Sequence, residues 1–179
     1  MHEQGVGQDN LRACVKASDQ DVIHYKPVWT IKKYNLRDGM PESEPYEISS
    51  FDGNLLLNEG ITTLLNLLTG STSTVEIPFN NANSYLAVGN SSAAAAAGQT
   101  DLQGTNKYKA MTATYPQIAS QTVTFRATFG STEANFNWRE FSVANGASGA
   151  SKNLNRKVSV QGSKVLSQSW TLDLAITFS

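Results

Sequence analysis

The chain has 179 residues and a formal net charge of −1, from 14 Lys and Arg against 15 Asp and Glu. Charged residues make up 16%, below the roughly 25% of an average soluble domain, and the 59 Ser, Thr, Asn and Gln residues fill the gap. Near-neutrality argues against capture of nucleic acid or membrane by a basic field, and a single cysteine, Cys14, excludes a disulfide scaffold or a multi-cysteine zinc site.

The polar start, Met1-His2-Glu3-Gln4, has no apolar stretch of the secretory kind. No run reaches the roughly 20 apolar residues of a membrane span. A soluble chain made in a cytoplasm is expected. Residues 1–50 carry 14 of the 29 charged residues. This segment is read as an N-terminal arm with one or two strands that anchors a partner, extended over residues 1–20. Residues 51–179 are read as the β-domain.

Within the arm, Val22–Tyr34 has strand character. Val28, Thr30, Lys32 and Tyr34 would face one way, and Trp29, Ile31 and Lys33 the other. A helix is predicted over about 58–69. Asn58 is its expected N-cap, Glu59 lies in the first turn and Gly70 closes it. Ile61, Leu64, Leu65 and Leu68 form its apolar stripe, expected to cover a sheet edge or barrel end.

The remainder reads as β structure. Tyr85–Val88 is short and apolar, and Ala93–Ala97 within the following loop is low in complexity. In 122–129, Val123, Phe125, Ala127 and Phe129 alternate with Thr122, Thr124, Arg126 and Thr128. Phe136, Trp138 and Glu140 share a face, with a bulge expected near Glu140–Ser142. Val158–Gln161 is another short strand. Trp170, Leu172, Leu174, Ile176 and Phe178 alternate with Thr171, Asp173, Ala175 and Thr177. One buried and one wet face per strand indicates a mainly β fold. The expected architecture is an antiparallel β-sandwich or barrel, jelly-roll-like, with one short α-helix.

No catalytic constellation stands out, and no cofactor or metal is expected. His24 has no evident Ser or Cys partner, and no phosphate loop is present. One carboxylate draws notice: on a face with Phe136 and Trp138, Glu140 approaches a core. There a carboxylate needs hydrogen bonds or a cation. It is either a catalytic acid or a structural clamp paired with an arginine such as Arg156. The clamp is the preferred reading.

The order of motifs resembles small structural proteins of tailed-bacteriophage particles, including capsid decoration, minor structural and tail-fibre-like β-domain proteins. The residues that carry it are Asn54–Ile61 leading into the Leu-rich helix and Tyr85-Leu86-Ala87-Val88-Gly89 before a small-residue loop to Thr100-Asp101-Leu102. Val123–Phe129, Asn135–Phe141, Leu154-Asn155-Arg156-Lys157, Lys164 and the closing 170–178 strand complete it. The resemblance spans about residues 50–179. It implies a non-enzymatic virion component assembled in the bacterial cytoplasm, a homo-oligomer with a trimer as the form it suggests. Other virion proteins, the major capsid protein or tail and adaptor subunits, would be its partners.

No fibre shaft repeat is present, which favours a capsid decoration (cement) protein held by its arm, with Trp29 and Tyr34 as anchors. A tail, collar or fibre-adaptor component is the alternative. A carbohydrate-binding β-sandwich module is a further one, with Trp29, Tyr108, Tyr115 and Trp170 as stacking rings.

Overall fold

The computed structural model describes residues 23–70 and 76–179. The expected extended arm over 1–20, with Cys14 in it, lies outside them. The fold is mainly β and antiparallel throughout, with one helix among the described residues.

The first sheet is built on β1 (Tyr25–Arg37), β8 (Thr122–Phe129) and β11 (Gln168–Phe178). Strand β11 is central, pairing with β1 from Tyr25↔Phe178 to Asn35↔Gln168 and with β8 from Trp170↔Phe129 to Thr177↔Thr122. The outer edge of β1 is shared by β2 (Met40–Pro41) and β3 (Glu47–Asp52), and β7 (Gln117–Ala119) forms the far edge beyond β8.

The alternation read from sequence is realised here. Trp29, Ile31, Phe125, Ala127, Phe129, Trp170, Leu172, Leu174 and Ile176 are buried on the inner face. The outer face carries cross-strand hydroxyl pairs, Thr122 with Thr177 at 2.7 Å and Thr128 with Thr171 at 3.0 Å. Arg126 donates two 2.6 Å bonds to Asp173, which hold its guanidinium above its usual pKa range. Such directly opposed pairs stabilise a sheet by roughly 0.2–1 kcal/mol each.

Lys33 lies on the buried face, as its position beside Trp29 and Ile31 requires. Its amine escapes the apolar layer by lying 4.6 Å over the Trp170 ring and donating to Glu47 and the Gln161 carbonyl, both at 2.7 Å.

The second sheet runs β4 (Leu55–Leu56), β10 (Asn155–Val158), β9 (Glu140–Ala144), β5 (Tyr85–Gly89) and β6 (Asn106–Ala110). All of β9 is buried, and so are four of the five residues of β5. Two layers achieve this. Leu86, Val88, Phe141 and Val143 meet the first sheet in the main core, and Trp138 joins them, its ring 4.8 Å from that of Trp170. On the other face Ala87, Tyr108 and Ala144 pack under Leu102, in the loop following β5. The change of face expected near Glu140–Ser142 lies earlier, at Trp138–Arg139, before β9 begins.

Two boundaries are corrected. The division at residue 50 does not hold, because β1 and β3 are integral strands of the first sheet; among the described residues the β-body already includes His24, which exchanges backbone hydrogen bonds with Ser179. The strand expected at Val158–Gln161 lies earlier, at Asn155–Val158.

Helix α1 (Asn58–Thr69) has the predicted bounds and ends on Gly70 in the left-handed conformation. Its N-cap is Leu57 rather than Asn58, with no side-chain cap bond. Its orientation overturns the sequence reading. The face against the body is the small one, Gly60 and Thr63. The apolar stripe points out, with Ile61 40%, Leu64 37%, Leu65 55% and Leu68 83% exposed. Close approach is the reason: a Cβ on Gly60 would lie 2.4 Å from the Leu154 carbonyl oxygen. Only a glycine lets the helix sit directly on that backbone, and the contact fixes which face is turned in.

Candidate functional site

Strand β9 is the spine of the site. In its register Glu140 lies opposite Gly89 and next to Val158 of β10. That puts the Glu140 side chain on the sheet face away from the main core, diagonal to Arg156. A Cβ on Gly89 would stand 2.5 Å from Glu140 Oε1, so the carboxylate bends across a position that only glycine leaves open.

The structure brings Glu140 and Arg156 together, both side chains fully buried. Arg156 donates to Glu140 Oε2 from Nε at 3.0 Å and from Nη2 at 2.7 Å. Three backbone amides of the loop between β5 and β6 complete the shell. Gln103 donates to Oε2 at 2.9 Å, and Gly104 and Ser91 donate to Oε1 at 2.9 and 3.2 Å. Arg156 Nη1 donates to Gln99 Oε1 at 3.0 Å, and Gln99 is tied to Ala94 and Ala96 of the same loop. A carboxylate offers about four lone-pair positions; five donors saturate it. No acceptor position remains for a substrate or a transferred proton, and water has no access. What this arrangement does is fasten residues 91–104 across the second sheet.

A second polar cluster holds the other end of that loop. The Tyr108 hydroxyl donates to Asp101, and Asn153 accepts from Ser142 at 2.7 Å while donating to the Thr100 carbonyl at 2.9 Å. Glu59 of α1 accepts the Asn153 amide at 2.7 Å. Burial first, and the Asp101 carboxylate next, push the Tyr108 phenol well above its usual pKa, so it remains a neutral donor. Sequence reasoning missed this cluster, since its members are spread from residue 59 to residue 153.

Lys164 is a third buried polar residue. Its amine donates to the Gly130 carbonyl at 2.6 Å and to Asn135 at 2.9 Å, closing the turn after β8. Desolvation lowers its pKa.

The anchor residues separate. Trp29 is fully buried, stacked on Phe51 at 6.2 Å and 6°, and is a core residue rather than a partner anchor. Tyr34 is half-buried on the outer face of the first sheet, opposite Ser169. Of the four rings considered for sugar stacking, Trp29, Tyr108 and Trp170 are buried. Tyr115 is half-buried, with the Arg126 guanidinium 4.7 Å over its ring.

Among the described residues, no group of three or more His, Cys, Asp and Glu side chains could hold a metal ion, and no helix is long and apolar enough to cross a membrane. Comparison of the chain with protein-family models, with curated proteins and with solved structures finds no match in any of the three.

Proposed function

We propose that the chain is a structural component of a tailed-bacteriophage particle, a capsid decoration (cement) protein that assembles in the bacterial cytoplasm. The observation that carries this reading is the condition of Glu140. The carboxylate best placed for chemistry has every acceptor position taken, and it serves to fix a long loop to a sheet. The order of motifs over residues 50–179 supplies the virion context. A hydroxyl-rich outer face suits near-neutral contact with neighbouring subunits.

In this reading the anchor is the segment preceding His24, with the half-buried Tyr34 beside the contact and Trp29 removed from it. The major capsid protein is the partner, engaged by strand addition or mixed hydrogen bonding. Deleting residues 1–20 is expected to abolish retention on undecorated particles in a sedimentation assay, while the body stays folded. Retention equal to the full chain would overturn the anchor. Electron microscopy of decorated particles is expected to place the protein on the head shell, whereas density on the tail or collar would favour a tail or adaptor role. No observation favours the carbohydrate-binding reading once three of its four rings are buried.

A further inference from the structure

The outward apolar face of α1 does not end with the helix. Leu64 belongs to the stripe and also lines an apolar groove of about 230 Å³, together with Tyr25, Phe79, Ile118, Val123 and Phe178. The groove is lined from β1, β7, β8 and β11 of the first sheet, from α1, and by Phe79 and Leu154. Ile118 of β7 lies opposite Val123, so it continues that inner face, yet it is 80% exposed. Phe178 on the same rim is 41% exposed. Stripe and rim together present on the order of 600 Å² of exposed large apolar side chains, at the top of the range for the largest patch on a monomer.

We infer that this face is the contact between copies of the chain, with α1 and the groove of one copy packed against the same surface of another. Two observations select a second copy as the occupant. Two such faces packed together would bury up to about 1,200 Å² of apolar surface in total, above the roughly 1,000 Å² that a specific interface needs. The surface is also poor in charge that would oppose self-contact, the Glu76 carboxylate being held beside α1 by the Asn66 amide at 2.8 Å. Glu59 is the one charged residue of α1; its side chain is 12% exposed, bonded to Asn153 and 3.7 Å from Lys152. None of the groove residues is charged. A contact of like with like therefore brings little repulsion, and apolar burial drives it. This inference goes beyond the virion reading and does not depend on it.

The test uses the full chain in solution, from 1 to 200 µM, by sedimentation velocity and light scattering. An oligomer is expected. The double variant Leu65→Asp and Leu68→Asp alters positions that are 55% and 83% exposed in the single subunit. It is expected to fold, with an unchanged circular dichroism spectrum, and to associate at least a hundredfold more weakly. A full chain that remains monomeric at 200 µM would overturn the inference, as would an oligomer that survives the double substitution. A chain that is monomeric when whole and oligomeric once residues 1–22 are deleted would also overturn it, making the N-terminal segment the natural cover of this face. Because no particle enters the measurement, its outcome is separable from that of the decoration assay.

Discussion

Glu140→Ala is expected to lower the free energy of unfolding by about 3–5 kcal/mol, measured by urea denaturation, as befits the loss of one member of a buried ion pair. The fully buried Arg156 guanidinium would lose two hydrogen bonds and its counter-charge. The amides of Ser91, Gln103 and Gly104 would lose their acceptor as well, and each orphaned donor costs about 1–3 kcal/mol in isolation. Against a typical total of roughly 5–15 kcal/mol, the variant is expected to be marginal at 37 °C. Its loop at 91–104 should become the first site of proteolysis.

The pair variant, Glu140→Leu with Arg156→Met, discriminates further. A simple buried ion pair can be exchanged for apolar residues with little loss. Here the three amides would still be stranded, so the double variant is expected to stay at least about 2 kcal/mol below the parent. A Glu140→Ala variant within 1 kcal/mol of the parent would refute the clamp. Glu140→Gln keeps the shape and one acceptor oxygen, and is expected to fall between alanine and the parent. Hydrolase activity present in the parent and abolished in this variant would instead restore the catalytic reading.

Gly60→Val is expected to cost about 3 kcal/mol, the upper end of the overpacking range. The added carbons would meet the Leu154 backbone, with the first 2.4 Å from its carbonyl oxygen and 2.5 Å from its Cα. Backbone cannot rotate away as a side chain can, so α1 must lift. Loss of amide protection across residues 61–69 in hydrogen exchange would report that movement. Gly60→Ala sharpens the test by sign. In an exposed helix interior, Gly→Ala stabilises by about 1 kcal/mol; at this position it is expected to destabilise. A more stable alanine variant would show that the helix does not depend on the close contact.

These two sites also mark where the sequence is legible and where it is not. Strands β8 and β11 announce themselves by period-two alternation, because each has one buried face, and the structure reproduces both faces except at Phe178, which is exposed at the rim. The helix bounds are equally plain. Its orientation is not, since the leucine pattern indicates which face is apolar but not which face is covered. A glycine four residues before a leucine stripe, with Thr63 on its own side, was the available signal for close packing on the small face. For Glu140, strand alternation pointed to burial but on the wrong face, the one that Trp138 turns to the main core, and residue type pointed to Arg156. The loop amides that complete its shell have no signature, because every non-proline residue carries one. The division at residue 50 failed because charge density says nothing about pairing, and the partner of β1 is the most distant strand in the chain.

That pairing bears on how the protein is made. Strand β11 supplies the seam between β1 and β8, so neither can take its final neighbour until residues 168–178 have been synthesised. At roughly 5–20 residues per second, β1 emerges from the ribosome many seconds before the strand that will hold it. During that interval Trp29 and Ile31 face no completed sheet, and the edge of β1 that β11 will cover offers open backbone groups, while β2 and β3 can already pair with its other edge. The decisive step of folding therefore waits on residues 168–178. A product truncated before residue 168 would leave two long apolar strands unmatched, a species suited to aggregation rather than to a smaller stable domain.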